Sequence, residues 1–69
     1  MTEKTLLKLT EELPQAKTFL ENRREVLHRS RTNRKAETHG EIRGYLAALR
    51  TLGAISDVEM RVLLTYYTM

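Results

Sequence analysis

The residues best suited to chemistry form a cluster of cations in the middle of the chain. Residues 23–36 hold six basic side chains and one acidic one, a net charge of +5, whereas the whole 69-residue chain has a net charge of +3. The entire positive excess therefore lies in this basic segment, and such a block is typical of contact with nucleic acid or another polyanion. With the histidine included, its candidate contact residues are Arg23, Arg24, His28, Arg29, Arg31, Arg34 and Lys35.

These side chains are suited to binding phosphate or carboxylate oxygens. Five of the six basic residues are arginines, and a guanidinium group can bind such oxygens through two parallel hydrogen bonds. No aromatic residue lies between them, so stacking on the bases of a single strand is not supported. We expect the partner to be nucleic acid or an acidic protein surface. The alternative is an ordinary solvated helix end, where basic residues favour the negative end of the helix dipole.

Catalysis and metal binding lack the residues that they need. The chain has no cysteine, and His28 and His39 stand eleven positions apart, which is not a metal-ligand spacing. No nucleophile–base pair or glycine-rich phosphate loop is recognisable, and a chain this short offers little room for a substrate pocket. The sequence therefore predicts a binding protein that is not an enzyme, with no catalytic residue, metal, cofactor or small-molecule substrate.

Helices must position the basic segment, because helix-forming residues dominate the composition and chain breakers are few. There is one proline and there are three glycines, and no alternating β-branched run suggests a strand. We predict an all-α fold with a single domain over residues 1–69. It is expected to be a small bundle of three to four helices ending in an antiparallel helical hairpin, with helices at about 3–12, 14–32, 38–52 and 57–67.

Apolar residues at three- and four-residue spacing mark the buried face of the first half of the chain. Pro14 interrupts this series, so the first two helices are either separate or form one kinked helix. The later cations continue the same sector of the helical wheel, and unpaired charges are too costly to bury. We therefore expect the C-terminal part of the second helix to project from the core or to meet an acidic surface. The apolar series is Leu6, Leu9, Leu13, Ala16, Leu20 and Leu27.

Capping signals define the helices of the second half. Thr38 and Glu41 have the spacing of a capping box, which predicts that the third helix begins at Thr38. Ser56 and Glu59 have the same spacing, which predicts the start of the fourth helix. Gly53 lies where a helix ends in the left-handed conformation, so residues 52–56 are expected to form a tight connection.

The hairpin from Leu49 to Leu64 resembles the turn of many short helical hairpins, including the small bacterial domain called SHOCT. The shared pattern is a glycine, an isoleucine two positions later, then Ser or Thr, and a glutamate three positions after that; here these are Gly53, Ile55, Ser56 and Glu59. The resemblance covers less than a quarter of the chain and implies the hairpin alone.

Two further features indicate a protein partner. Tyr66 and Tyr67 are adjacent, and neighbouring helical positions point about 100° apart, so both cannot face one core. We expect at least one to be an interface anchor. A helical chain this short is only marginally stable alone. Leu6 and Leu9 of the apolar series, which we call the leucine seam, are therefore further interface candidates in a possible homodimer.

Two functions follow as hypotheses. The first is a small regulatory or accessory protein of nucleic-acid transactions, in the style of phage and mobile-element proteins, that binds nucleic acid or a nucleic-acid enzyme through the basic segment. The alternative is a protein–protein adaptor or structural homodimer that uses the leucine seam and the C-terminal tyrosines. The absence of cysteine, of a signal segment and of an apolar run of about 20 residues favours a cytoplasmic protein without a membrane partner.

Overall fold

The computed structural model describes residues 2–69, which form a compact all-α globule with a radius of gyration of 11.5 Å. No strand occurs in this range, so the predicted all-α class is confirmed. Successive helices pack against each other, and the last helix also contacts the first and the second. None of the helices within residues 2–69 has the length and apolarity needed to cross a membrane. The helices are α1 (Thr2–Glu12), α2 (Pro14–Arg29), α3 (Thr32–Thr51) and α4 (Asp57–Tyr67).

One hydrophobic core receives side chains from all four helices. The apolar spacing of the first half predicted its contributors correctly: Leu9, Ala16, Leu20 and Leu27 are buried, and Leu6 and Leu13 pack against them. Each fully buried leucine or isoleucine contributes roughly 1.5–3 kcal/mol relative to an exposed one. The whole buried set is Leu9, Ala16, Leu20, Leu27, Ile42, Leu46, Ile55, Leu63 and Tyr67.

Pro14 separates α1 from α2. Leu13 has the non-helical dihedrals φ −136° and ψ 59°, and Pro14 follows as the first residue of α2. Proline is well accommodated there, because its missing N–H would have no partner in the first turn anyway. Of the two possibilities that the sequence left open, the structure has two helices and not one kinked helix.

The break between α2 and α3 lies earlier than the sequence predicted. The second helix was expected to reach residue 32, but α2 ends at Arg29. Ser30 (φ −90°, ψ 157°) and Arg31 (φ −75°, ψ 164°) are both extended. The hydroxyl group of Ser30 donates a hydrogen bond to the carbonyl oxygen of Val26, an interaction that competes with continuation of the helix. The chain reverses here, and α3 returns along α2.

The predicted start of the third helix at Thr38 is wrong. Thr38 is only 2% exposed and lies inside α3, where Ile42 and Leu46 continue its buried stripe at four-residue intervals. The residues before it include good helix formers such as Lys35, Ala36 and Glu37, so nothing stops the helix from beginning at Thr32. The capping-box spacing of Thr38 and Glu41 is therefore a coincidence of a helix interior.

The connection between α3 and α4 has the predicted backbone. Gly53 has φ 78°, the only positive φ among the described residues, and its N–H donates to the carbonyl oxygen of Arg50 at 3.0 Å. The N–H of Ala54 donates to the carbonyl oxygen of Leu49 at 2.9 Å. These two bonds form a Schellman motif, which satisfies carbonyl groups at the end of α3.

The capping box at the start of α4 is also confirmed. The N–H of Glu59 donates to the hydroxyl oxygen of Ser56 at 3.1 Å, and the N–H of Ser56 donates to Oε1 of Glu59 at 2.8 Å. Ile55, just before the cap, is buried in the core. This connection therefore holds α4 in a fixed position relative to the end of α3.

Candidate polyanion-binding site

The break at Ser30 and Arg31 divides the basic segment into two parts. Arg23, Arg24 and His28 lie on α2, whereas Arg34 and Lys35 lie in the first turns of α3. The expectation that Arg24, His28, Arg31 and Lys35 share one helical stripe is therefore wrong, because α2 ends at Arg29 and Lys35 lies on α3. The cations instead lie in two environments with different contacts.

Arg23 and Arg24 are half-buried and bind other parts of the same chain. Nη1 of Arg23 lies 3.4 Å from Oε2 of Glu41, which links α2 to α3. The guanidinium carbon of Arg24 lies 4.5 Å from the ring centroid of Tyr66 on α4, a favourable cation–π distance. These contacts join α2 to α3 and α4, so both arginines have a structural part in the fold.

His28 and Arg29 are exposed near the end of α2, and each makes one polar contact within the chain. Nε2 of His28 lies 2.6 Å from the carbonyl oxygen of Met69. Arg29 pairs with Glu25 one turn earlier at 3.5 Å, but both side chains are about two-thirds exposed or more. An exposed pair of this kind contributes little stability because water screens it, so Arg29 can exchange Glu25 for another anion at low cost.

The remaining cations of the basic segment project into solvent where α2 meets α3. Arg31, Arg34 and Lys35 are exposed, and none of the ion pairs found within residues 2–69 involves them. Together with Arg29 they form a group of four cations that we call the basic corner. It concentrates positive charge on a chain reversal, and three of its four members make no ion pair among the described residues.

An open groove of about 670 Å³ lies at the basic corner. Glu37 is the only acidic residue on its wall, and Lys35 lies outside it. The N-terminus of α3 adjoins the groove without a side-chain cap, because Arg31 makes no capping hydrogen bond. The positive end of the helix dipole adds to the arginine charge. The lining residues are Val26, Arg29, Ser30, Arg31, Asn33, Arg34 and Glu37.

Ser30 and Asn33 are groove residues that the sequence reasoning missed. Both are short polar residues of the type that favours helix ends, and Thr32 between them is a third. Thr32 and Asn33 indicated the end of the second helix, which was expected at residue 32. The start of the third helix was instead placed at Thr38 because of the apparent capping box there.

Two of the four predicted interface residues are fully buried, and the other two are only half-buried. Leu9 and Tyr67 are each 1% exposed and belong to the core of the chain itself. Leu6 and Tyr66 are half-buried against that core, and the rings of Tyr66 and Tyr67 meet edge to face at 5.0 Å. The expectation that the two tyrosines could not both face one core is therefore wrong. Because its own helices cover them, Leu9 and Tyr67 are not available to a partner in this fold.

The strongest electrostatic perturbations lie away from the basic corner. The ammonium of Lys8 lies 2.9 Å from Oε1 of Glu59; this hydrogen bond raises the pKa of Lys8 and lowers the pKa of Glu59. Burial raises the pKa of Tyr67 to about 12, with smaller contributions from Glu21 and Tyr66. The Lys8–Glu59 pair joins α1 to α4 and Tyr67 is buried in the core, so we assign both to the fold.

Within residues 2–69, no group of three or more histidine, aspartate or glutamate side chains is placed to hold a metal ion. The basic corner, with its open groove, is thus the candidate site that the geometry defines. In comparisons with known proteins, no family model, no curated protein and no solved structure matches this chain.

Proposed function

We propose that this chain is a small, non-enzymatic regulatory or accessory protein that binds nucleic acid through the basic corner. The observation that carries the proposal is the exposure of Arg31, Arg34 and Lys35 without ion-pair partners among residues 2–69, next to Arg29 and around an open groove. Clustered cations of this kind bind phosphates and release the counterions condensed on them.

The proposed contact surface is narrower than the one that the sequence suggested. Arg23 and Arg24 are left out because Glu41 and Tyr66 already engage them. His28 is adjacent to the surface but contacts Met69. In this proposal α1 to α4 act as a helical bundle, with α3 and α4 as its antiparallel hairpin, and the bundle holds the basic corner rigidly. The cytoplasm is the compartment we propose.

A direct binding measurement tests this function. Purified protein is titrated into fluorescently labelled duplex DNA, single-stranded DNA and RNA at low ionic strength, and anisotropy is recorded. We expect binding to at least one of the three, with an affinity that falls steeply as salt is added. The absence of binding to all three, or binding that salt leaves unchanged, would overturn the proposal.

A protein adaptor is the second candidate function, and two exposed apolar side chains favour it. Leu7 on α1 is 56% exposed and Val58 on α4 is 52% exposed, and both line an open groove between these helices. Apolar side chains exposed in one place are typical of protein contact surfaces. Concentration-dependent thermal stability would favour this function through self-association.

A further inference from the structure

Hydrogen-bond donors outnumber acceptors in the groove at the basic corner, where Glu37 is the one carboxylate on the wall. Arg29, Arg31 and Arg34 line it, and each guanidinium group carries five N–H donors and no acceptor. The hydroxyl group of Ser30 donates to the carbonyl oxygen of Val26, so towards the groove it can only accept, but these few acceptors are outnumbered by the guanidinium donors. A groove of this composition fits a ligand that supplies only acceptors, and phosphate oxygens meet that requirement.

The one amide side chain in the groove is poorly placed to read a base. Oδ1 of Asn33 accepts the backbone N–H of Arg34 at 3.1 Å. Bidentate recognition of adenine by asparagine needs both its oxygen and its nitrogen turned towards the base, whereas here the oxygen is turned towards the backbone of the chain itself and one of its two lone pairs is used there. The groove thus favours contacts with the backbone of a nucleic acid over contacts with base edges.

The aromatic residues of the chain lie elsewhere and are engaged with one another. The ring of Phe19 meets that of Tyr45 at 4.2 Å, and the ring of Tyr66 meets that of Tyr67 at 5.0 Å. None of the four lines the groove. Single strands are bound through aromatic stacking platforms in addition to positive charge. This groove supplies the positive charge but no aromatic ring for stacking.

We propose that the groove holds the sugar–phosphate backbone of double-helical nucleic acid, without stacking on bases or reading their sequence. This inference rests on the proposed nucleic-acid function and specifies its substrate class. A duplex presents its phosphates in a fixed array, with about one charge per 1.7 Å of helix axis. A single strand would have to be ordered on binding, and this groove offers no stacking to offset that entropy.

The test compares a short duplex of mixed sequence with one of its strands, each titrated at several salt concentrations. Three arginine contacts predict a slope of log K against log salt of about −2.7 for the duplex, from about −0.9 per contact. We expect the duplex to bind at least about tenfold more tightly than the single strand, because the groove offers no aromatic ring on which the bases of a single strand could stack. A duplex of different base composition should bind about equally well.

Two matched variants locate the site. The groove variant carries Arg29→Gln, Arg31→Gln and Arg34→Gln and should reduce the salt slope by about one unit for each arginine–phosphate contact that it removes. The control variant removes the same charge elsewhere through Lys4→Gln, Arg43→Gln and Arg61→Gln, all at exposed positions, and should retain the slope. A third variant with lysine at the three groove positions keeps the charge and should retain most of the slope, even if glutamine there disturbs folding.

The outcomes separate the two proposals. If no nucleic acid binds, the proposed function fails, and this inference fails with it. If nucleic acid binds but the single strand binds as tightly as the duplex, only the substrate class proposed here is overturned. If the groove and control variants bind equally weakly, nucleic acid binds through overall charge and the groove is not the site.

Discussion

The ammonium group of Lys8 on α1 lies 2.9 Å from Oε1 and 3.1 Å from Oε2 of Glu59 on α4, 51 positions away in the sequence. The same Oε1 atom accepts the backbone N–H of Ser56. One carboxylate therefore caps α4 and ties α1 to that cap. The side chains of the pair are 29% and 23% exposed, so water screens it less than it screens the other ion pairs.

This pair predicts a pH-dependent contribution to stability. The pKa of Glu59 is lowered in the folded chain, so its contribution is present above the ordinary value of 4.5 and disappears as the pH falls through the folded-state pKa. Lys8→Gln should lower the free energy of unfolding at neutral pH, and this difference should vanish in acid. Urea unfolding across the acid range measures it, with Lys4→Gln as the control. A difference that stays constant down to strongly acidic pH would contradict the assigned partner.

Contacts such as Lys8–Glu59 mark the limit of what the sequence could predict. Gly53, Ser56 and Pro14 act through their own backbone and the next few residues, so their roles could be recognised from local spacing. The pairing of α1 with α4 depends on how the chain folds back, which local spacing does not encode. The prediction of a cap at Thr38 was wrong for a related reason: its spacing to Glu41 suits a cap, but Thr38 is buried and lies inside α3.

Two glycines on α3 give a prediction in the stabilising direction. Gly40 and Gly44 are inside the helix and exposed, and a methyl group at either position would meet no neighbouring atom within 4 Å. Alanine should therefore raise the free energy of unfolding by about 0.5–1 kcal/mol at each position. Gly53→Ala is the opposite control, because φ 78° is strained for any side chain. Urea unfolding that shows Gly40→Ala or Gly44→Ala to be destabilising would mean that this face packs closely against something in solution.

The buried tyrosine gives a prediction for alkaline pH. Burial raises the pKa of Tyr67 from the ordinary 10.0 to about 12. The folded chain thus holds this proton more tightly than the unfolded chain, and stability should fall as the pH rises above 10. Ultraviolet titration should show a late tyrosine ionisation that Tyr67→Phe abolishes and Tyr45→Phe retains. Persistence of the late ionisation in Tyr67→Phe would refute the assignment.

The basic segment contains cations of two kinds, and a count of charges detects only their sum. The count includes Arg29, Arg31, Arg34 and Lys35, all of which are exposed in the structure. It could not separate them from Arg23 and Arg24, because a net charge does not record which cations have partners inside the fold. Glu41 and Tyr66 lie 18 and 42 positions beyond those arginines, so only the packing of α3 and α4 on α2 reveals that they are engaged.

That separation leads to a paired prediction for Arg24 and Arg31. The guanidinium carbon of Arg24 lies 4.5 Å from the ring centroid of Tyr66, whose ring in turn contacts Tyr67. Arg24→Gln should lower the free energy of unfolding by about 1 kcal/mol, because it removes a partly desolvated cation–π contact. Its affinity for a nucleic-acid duplex should change no more than that of Arg43→Gln, which removes one charge from an exposed position.

Arg31→Gln should do the reverse, because Arg31 is exposed and has no ion-pair partner among residues 2–69. Its stability should stay within about 0.5 kcal/mol of the unmodified chain, while the duplex salt slope falls by about one unit. Urea unfolding and anisotropy titration on the same preparations measure both quantities. If Arg24→Gln weakens binding and leaves stability unchanged, the division of the basic segment into structural and ligand-binding cations is wrong. The cation–π contact with Tyr66 would then be dispensable for folding, and the binding surface would extend along α2.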